Sequence, residues 1–215
     1  MQVVTGHKGG QSYRCYLEGL AAHSSLAPQG VNAIEYAAEL VLFLRGIGEE
    51  LAAGPQDPDY DVTHSTLSVG LIQGGSAINI VPNTCQVTFE FRNLAEVDQE
   101  GVFRRIEGFA LREMLPRMQA RHPGALIRFE RIYEYPAHAI AAGDPLVTRM
   151  KHLVGRNDHS KVAFGTEAGL FLRELGLPTI VCGPGAIAVA HKPDEYVERT
   201  QLAACDEFMR KLVTS

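Results

Sequence analysis

The sequence predicts an α+β fold in two parts. Residues 11–135 read as a β-α-β-β-α-β unit of the ferredoxin-like kind. From Asp144 onward the chain reads as part of an α/β arrangement built on a parallel sheet. Three observations carry this. Short segments alternate apolar and polar side chains, as half-buried strands do. Two longer segments between them place apolar residues at helical spacing. After Asp144 the alternation gives way to helical segments separated by short apolar runs.

The elements follow in order. Ser12–Glu18 sets Tyr13, Cys15 and Leu17 on one face and Arg14, Tyr16 and Glu18 on the other, a half-buried strand. Asn32, with Glu35 three residues on, caps a helix whose apolar stripe is Ile34, Ala37, Val41, Leu44, Ile47 and Leu51. Gly54-Pro55 ends it. Leu67, Val69 and Leu71 mark a second strand, closed by Gly74-Gly75, and Cys85, Val87, Phe89 and Phe91 mark a third. Asp98 caps a second helix with Val102, Ile106, Phe109 and Met114 inward, and Pro116 and Pro123-Gly124 are expected to stop it. Leu126–Tyr133 forms a fourth strand.

In the second part, Pro145–Val154 is a helix and Lys161-Val162-Ala163-Phe164 a strand. Gly165-Thr166-Glu167 opens another helix carrying Leu170, Phe171 and Leu175, which Gly176 closes. Leu177–Cys182 is expected to be a buried strand and Arg199–Leu212 a final helix. Two strands do not make a parallel sheet. Met1–Thr5 could add one more, and something else should supply the remainder.

Composition narrows the function classes. With 46% hydrophobic and 21% charged residues the chain is ordinary for a globular protein. A formal net charge of −5 argues against nucleic acid, whose phosphates need a basic surface. No apolar run approaches the roughly 20 residues needed to span a bilayer, and the N-terminus lacks the pattern of a signal peptide. Cys15, Cys85, Cys182 and Cys205 are far apart and read as buried, reduced thiols, which fits a cytoplasmic location.

Several residues could carry chemistry, each against a plainer reading. His191 follows a Gly-Pro-Gly turn beyond an apolar run, where ligands gather at strand ends; it could equally be a surface-loop histidine. His23, in Ala22-His23-Ser24-Ser25, could donate a hydrogen bond to an oxyanion, or make local turn contacts. Asn79, in the long Gly74–Asn83 connection, offers a donor and an acceptor. Arg92 could fork onto a carboxylate, or be solvated. Glu167 suits the first turn of a helix for dipole reasons, or could contact a ligand. None of the eight histidines forms His-x-Asp, His-x-His or His-Glu-x-x-His. The only adjacent glutamates, Glu49-Glu50, lie on the polar end of an amphipathic helix.

Taken together, five blocks resemble a known family. They are His7-Lys8-Gly9; Ala22-His23-Ser24-Ser25 with Gly30–Ile34; Gly74-Gly75 with Asn79-Ile80-Val81-Pro82 and Phe91-Arg92; Phe164–Ala168; and Gly183-Pro184-Gly185 with Ala190–Tyr196. In this order the chain resembles the two-metal amidohydrolases and peptidases that include acetylornithine deacetylase, succinyl-diaminopimelate desuccinylase, aminoacylase and carboxypeptidase G2.

The resemblance implies roles. Residues 1–9 would end the first portion of a catalytic domain, 10–137 would form a lid and dimerisation domain, and 138–215 would complete a three-layer catalytic domain. His191 would hold a metal. His23 would reach into the partner's active site and polarise the scissile carbonyl. Asn79 and Arg92 would bind a substrate carboxylate, with Gly165, Thr166 and Glu167 as further substrate contacts. The implied reaction is hydrolysis of the N-acetyl amide of N-acetylornithine in arginine synthesis, with N-succinyl-diaminopimelate and other N-acylated amino acids as runners-up. The implied cofactor is a pair of zinc ions, or cobalt, and the implied assembly a homodimer through the lid. The family's His-x-Asp, bridging carboxylate, Glu-Glu pair and further acidic ligand have no counterpart here. The resemblance therefore implies that this chain alone binds its metals incompletely and is inactive, or serves as a dimerisation module.

Overall fold

A computed structural model describes residues 1–190 and 192–214. In chain order the elements are β1 (Val4–His7), β2 (Gly9–Glu18), α1 (Ala33–Ala53), β3 (Thr66–Gly74), β4 (Thr84–Asn93), α2 (Gln99–Phe109) and α3 (Leu115–Arg121). They continue with β5 (Leu126–Tyr135), β6 (His138–Ala139), α4 (Pro145–Val154), β7 (Ser160–Val162), α5 (Ala168–Leu175) and α6 (Arg199–Thr214). The chain divides into two compact units. One holds Gly9–Asp57 and Thr63–Tyr135, the other Met1–Lys8, Pro58–Val62 and Pro136–Ser215.

The first unit is an antiparallel four-stranded sheet in the order β3-β4-β2-β5. The order follows from β-α-β-β-α-β connectivity: each helix crosses over the sheet, so the first and third strands become central. Period-2 alternation puts Tyr13, Cys15, Leu17, Val87, Phe89 and Phe91 on one face, all buried. The helices cover that face with Leu40, Leu44 and Ile47 of α1, Ile106 of α2, Met114 and, from α3, Met118. Each such side chain contributes about 2 kcal/mol by leaving water. Tyr13 stacks on Phe103 with centroids 3.8 Å apart.

The caps form as expected, while some details differ. Asn32 Oδ1 accepts the amides of Ile34 and Glu35, and its Nδ2 donates to Glu35 Oε1. The buried stripe of α1 runs through Ala33 and Leu40; Ile34 and Val41 sit at its border, half-exposed. β3 contains a bulge between Val69 and Leu71, which turns Leu71 outward. Pro116 does not stop the second helix. A π-helical turn at Ala110–Met114 precedes it, and the Leu115 amide donates to Ala110 O. That shift of one residue lets the helix resume through Pro116, which has no amide hydrogen to place.

The second unit holds a three-stranded sheet in the order β6-β1-β7. β1 pairs with β7 in parallel and with β6 antiparallel, so the sheet is mixed, not purely parallel. Val3, Met150, Leu153 and Phe208 make a small core with α4 and α6. Pro58–Val62 joins this unit: Lys8 Nζ donates to Val62 O at 2.8 Å and lies 5.4 Å from the Tyr60 ring centroid. A buried ammonium is tolerated because it keeps a carbonyl and an aromatic face.

One expected strand is corrected. Leu177–Cys182 makes a single bridge, Val181 to Val4, and Leu177 is 53% exposed. The run is apolar, but among the described residues only Val181 pairs with a strand, while the Leu177 amide turns back to Phe171 O at the end of α5. Cys182 and Cys205 are likewise half-buried; Cys15 and Cys85 are fully buried. Burial pushes the Cys15 thiol up to about 12.

The sheet–helix seam sets stability. Leu44→Ala is expected to destabilise the first unit by about 3 kcal/mol through the cavity it leaves, and Asn32→Ala by about 1 kcal/mol through the lost cap. Urea denaturation followed by circular dichroism measures both; equal, near-zero changes would contradict this account of the core.

Candidate functional site

In the first unit the expected residues occupy two places. β2 ends at Glu18, and the chain passes through Gly19 into the segment that carries His23. Gly19 lies so close to Val31 that a Cβ there would stand 2.1 Å from the Val31 carbonyl oxygen, so only glycine allows this crossing. Backbone bonds then tie the 20–31 segment to the β3–β4 connection. The Ser24 amide donates to Asn79 O at 2.9 Å and the Val81 amide to Ala22 O at 2.8 Å. His23 bridges to Ile80. The fold thus brings His23 and Asn79 together at one end of the sheet, both exposed.

The imidazole of His23 has a defined tautomer. Its Nδ1 accepts the Ser25 amide at 3.2 Å and lies 2.8 Å from Ser25 Oγ. A backbone amide can only donate, so in the neutral ring the proton sits on Nε2. That N–H can donate to a developing oxyanion.

Arg92 is not part of this group. It sits eight residues along β4 from Thr84, about 27 Å at the strand rise of ~3.4 Å per residue, where it pairs with Gly10 and Thr66. Within one chain, a small carboxylate cannot touch both Arg92 and Asn79. The guanidinium is also already engaged. Its Nε donates to Glu90 Oε1 at 2.5 Å, and its Nη atoms donate to Tyr133 and Tyr135 hydroxyls. Tyr133 in turn donates to Glu90. Partial burial alone would raise the Glu90 carboxyl, but the hydrogen bonds from Arg92 and Tyr133 outweigh it and hold the carboxyl below its usual range. Burial and the Glu90 carboxylate push Tyr133 up to about 12.

In the second unit, Gly165, Thr166 and Glu167 lead into α5. Glu167 stands at the N-cap, one residue before the first turn, and its exposed side chain makes no cap hydrogen bond. Thr166 Oγ1 caps instead, accepting the Ala168 amide at 3.2 Å. Gly165 lines a cleft of about 520 Å³ together with Val4, Phe164, Pro184, Ile187 and Tyr196. Thr166 and Glu167 are not among the residues lining it. His191 lies outside the described residues. Among the described residues no group of three or more His, Cys, Asp and Glu side chains could hold a metal ion.

Sequence patterning missed a buried pair of histidines. His7 on β1 and His138 on β6 are each 1% exposed, pair in register and place their rings 5.9 Å apart. The available signal was His7 at the end of the apolar run Val3-Val4-Thr5-Gly6, but its partner enters from a distant segment.

Residues 5–117 match the peptidase dimerisation domain family. An acetylornithine deacetylase from Aliivibrio fischeri is 31% identical over 213 residues, 99% of this chain and 54% of the relative. One from Pectobacterium atrosepticum is 30% identical over 213 residues, again 99% and 54%. The chain thus spans about half the length of the curated relatives it matches. Among solved structures, aminopeptidase PepT from Bacillus cereus superposes with a TM-score of 0.72 at 23% identity, over 96% of this chain and 52% of that one. A putative aminohydrolase from methicillin-resistant Staphylococcus aureus gives 0.70 at 14% identity, over 100% and 54%. These superpositions bear on the fold alone, which they share with this α+β chain.

The buried histidine makes stability depend on pH. Burial holds the His7 pKa below its ordinary 6.5. The unfolded chain therefore takes up that proton first as pH falls, and the stability His7 lends at neutral pH is lost progressively below about 6.5. The urea midpoint of the second unit is expected to drop between pH 7.5 and 5.5, and less so in His7→Gln. An identical drop in that variant would exclude His7 as the cause.

Proposed function

Because this chain belongs to the peptidase dimerisation domain family, we propose that it is the lid and the C-terminal portion of an amide hydrolase whose first portion lies in additional polypeptide. The substrate we propose is N-acetylornithine, hydrolysed to ornithine and acetate in arginine synthesis. What supports this choice is likeness across nearly the whole chain to proteins named acetylornithine deacetylase. The single observation that carries the mechanism is the His23 tautomer: Nδ1 is committed to the Ser25 amide, which leaves Nε2–H as donor.

In this reading His23 serves the active site of a second copy in a homodimer formed through the lid. Its Nε2–H meets the carbonyl oxygen of the scissile amide and strengthens its hydrogen bond as negative charge develops there. Asn79, beside it, offers an amide to the same bound substrate. Arg92 reads a carboxylate only from a different position, and a substrate must displace or share Glu90 to reach it. Gly165, which lines the cleft, and the adjoining Thr166 and Glu167 contact substrate from the catalytic portion. The described residues do not make a metal centre. The zinc pair, or cobalt, that the family resemblance implies would need ligands beyond this chain in addition to His191, and no step here is routed through it. The location we propose is cytoplasmic; among the described residues no helix is long and apolar enough to cross a membrane.

A second reading is favoured by the family description itself: in this form the chain is a dimerisation module. Light scattering after size exclusion is expected to give twice the chain mass, and a strict monomer at high concentration would remove this reading and weaken the first.

The catalytic reading predicts that the purified 215-residue chain does not hydrolyse N-acetylornithine, with or without added zinc. A longer natural polypeptide containing it is expected to do so, and His23→Ala in that polypeptide to lower kcat about 10²–10³-fold with a smaller change in KM. Metal-dependent turnover by the short chain, or a silent His23→Ala, would overturn it.

A further inference from the structure

We propose that His7 is a positioning residue: its Nε2, kept unprotonated, accepts the Gly169 amide and fixes the Gly165–Thr166–Glu167 turn ahead of α5. The link from this turn to substrate rests on the function proposed above; the positioning itself does not.

The argument begins with what each ring nitrogen touches. His7 Nδ1 lies 2.9 Å from the Lys8 carbonyl oxygen. A carbonyl only accepts, so Nδ1 carries the proton and Nε2 presents a lone pair. The Gly169 amide meets that lone pair at 3.3 Å. Both assignments agree on one neutral tautomer. An imidazolium would point N–H at N–H, at the positive end of α5.

The amides at the start of α5 are then divided in an ordered way. The Ala168 amide goes to Thr166 Oγ1, the Gly169 amide to His7, and the Phe171 amide to Glu167 O. Of these three partners, His7 is the one that comes from outside the local chain. On its other side Gly169 meets the 136–137 backbone: a Cβ there would stand 2.6 Å from the Pro136 carbonyl oxygen. The first turn of α5 therefore takes a hydrogen-bond partner from His7 and passes so close to the Pro136 carbonyl that only glycine fits at 169.

The ring is held in its turn. His138 packs against it at 5.9 Å with planes tilted 38°. His138 Nε2 lies 2.7 Å from the Thr179 carbonyl oxygen, so that ring is fixed as well. Among the described residues, the ionisable groups that act on His7 include His138 from β6 and Glu167 from the start of α5, with Lys8 beside it on the chain. Burial, the largest influence, and His138 lower its pKa, whereas the Lys8 carbonyl and Glu167 raise it; the outcome is a lowered value. The placement of this turn matters for any contact made by Gly165 at the cleft, since small misplacements of substrate contacts cost large factors in rate.

The test uses two isosteres in the isotope-labelled 215-residue chain. His7→Gln can set its side-chain oxygen near the place of Nε2 and still accept from Gly169. His7→Asn is too short to reach. In the wild type at neutral pH, long-range ¹H–¹⁵N spectra are expected to show His7 Nδ1 protonated and Nε2 unprotonated. In His7→Asn the Gly169 amide is expected to lose about tenfold in exchange protection, with shifts at Gly165, Thr166 and Glu167; in His7→Gln both are largely retained. A protonated Nε2 at neutral pH, or equal behaviour of the two variants at 165–169, would overturn the proposal. Should both variants fail to fold, the wild-type nitrogen spectrum decides alone. Because none of these readouts involves substrate, a failure of the deacetylase reading would leave them unchanged.

Discussion

The register of β2 is the constraint on which much of the molecule depends. This strand is hydrogen-bonded along its length to β4 on one side and to β5 on the other. Its inward residues, Tyr13, Cys15 and Leu17, sit in the middle of the apolar seam under α1 and the second helix. A slip of one residue would turn all three to solvent and bring Arg14 and Tyr16 inside. The same register decides where the chain leaves the sheet. Glu18 faces Thr84, so the segment bearing His23 departs beside the β3–β4 connection, and the two are laced together by backbone bonds. An apolar packing term thereby becomes a positional one: the seam places an imidazole and an asparagine next to each other.

Backbone amides recur as the instrument that sets side-chain chemistry. At His23 the Ser25 amide claims Nδ1 and leaves Nε2–H as donor. At His7 the Lys8 carbonyl and the Gly169 amide together choose the opposite tautomer, with Nε2 as acceptor. The two rings differ in burial too, one exposed as a donor toward solvent, the other enclosed as a strut. Arg92 illustrates a different logic. Its charge is shared with Glu90 and two tyrosines, so its readiness to bind an anion depends on how that local cluster gives way.

The strands and helices of the first unit were legible because their burial is one-sided and local. Alternation at Tyr13, Cys15 and Leu17 and the Asn32 and Asp98 caps needed nothing beyond neighbouring residues, and so did the Pro145–Val154 helix. Where legibility failed, a distant or compensating contact was responsible. Pro116 signalled a stop, but a π-turn absorbed the missing amide. Leu177–Cys182 had a strand's composition, but a strand also requires a neighbouring strand along its length, and among the described residues only Val181 bridges to one.

The candidate site divides along the same line. Sequence by itself determined the two-part α+β pattern, the capped helices, the His23 and Gly165–Glu167 motifs and, through the family resemblance, the class of chemistry to expect. Only the tertiary structure decided that His23 and Asn79 are neighbours while Arg92 is not. The tautomers and the meeting of His7 with His138 and Gly169 also belong to the structure. The reason is physical: periodicity and capping act over a few residues, whereas a hydrogen bond between residue 7 and residue 169 exists only after the chain has folded.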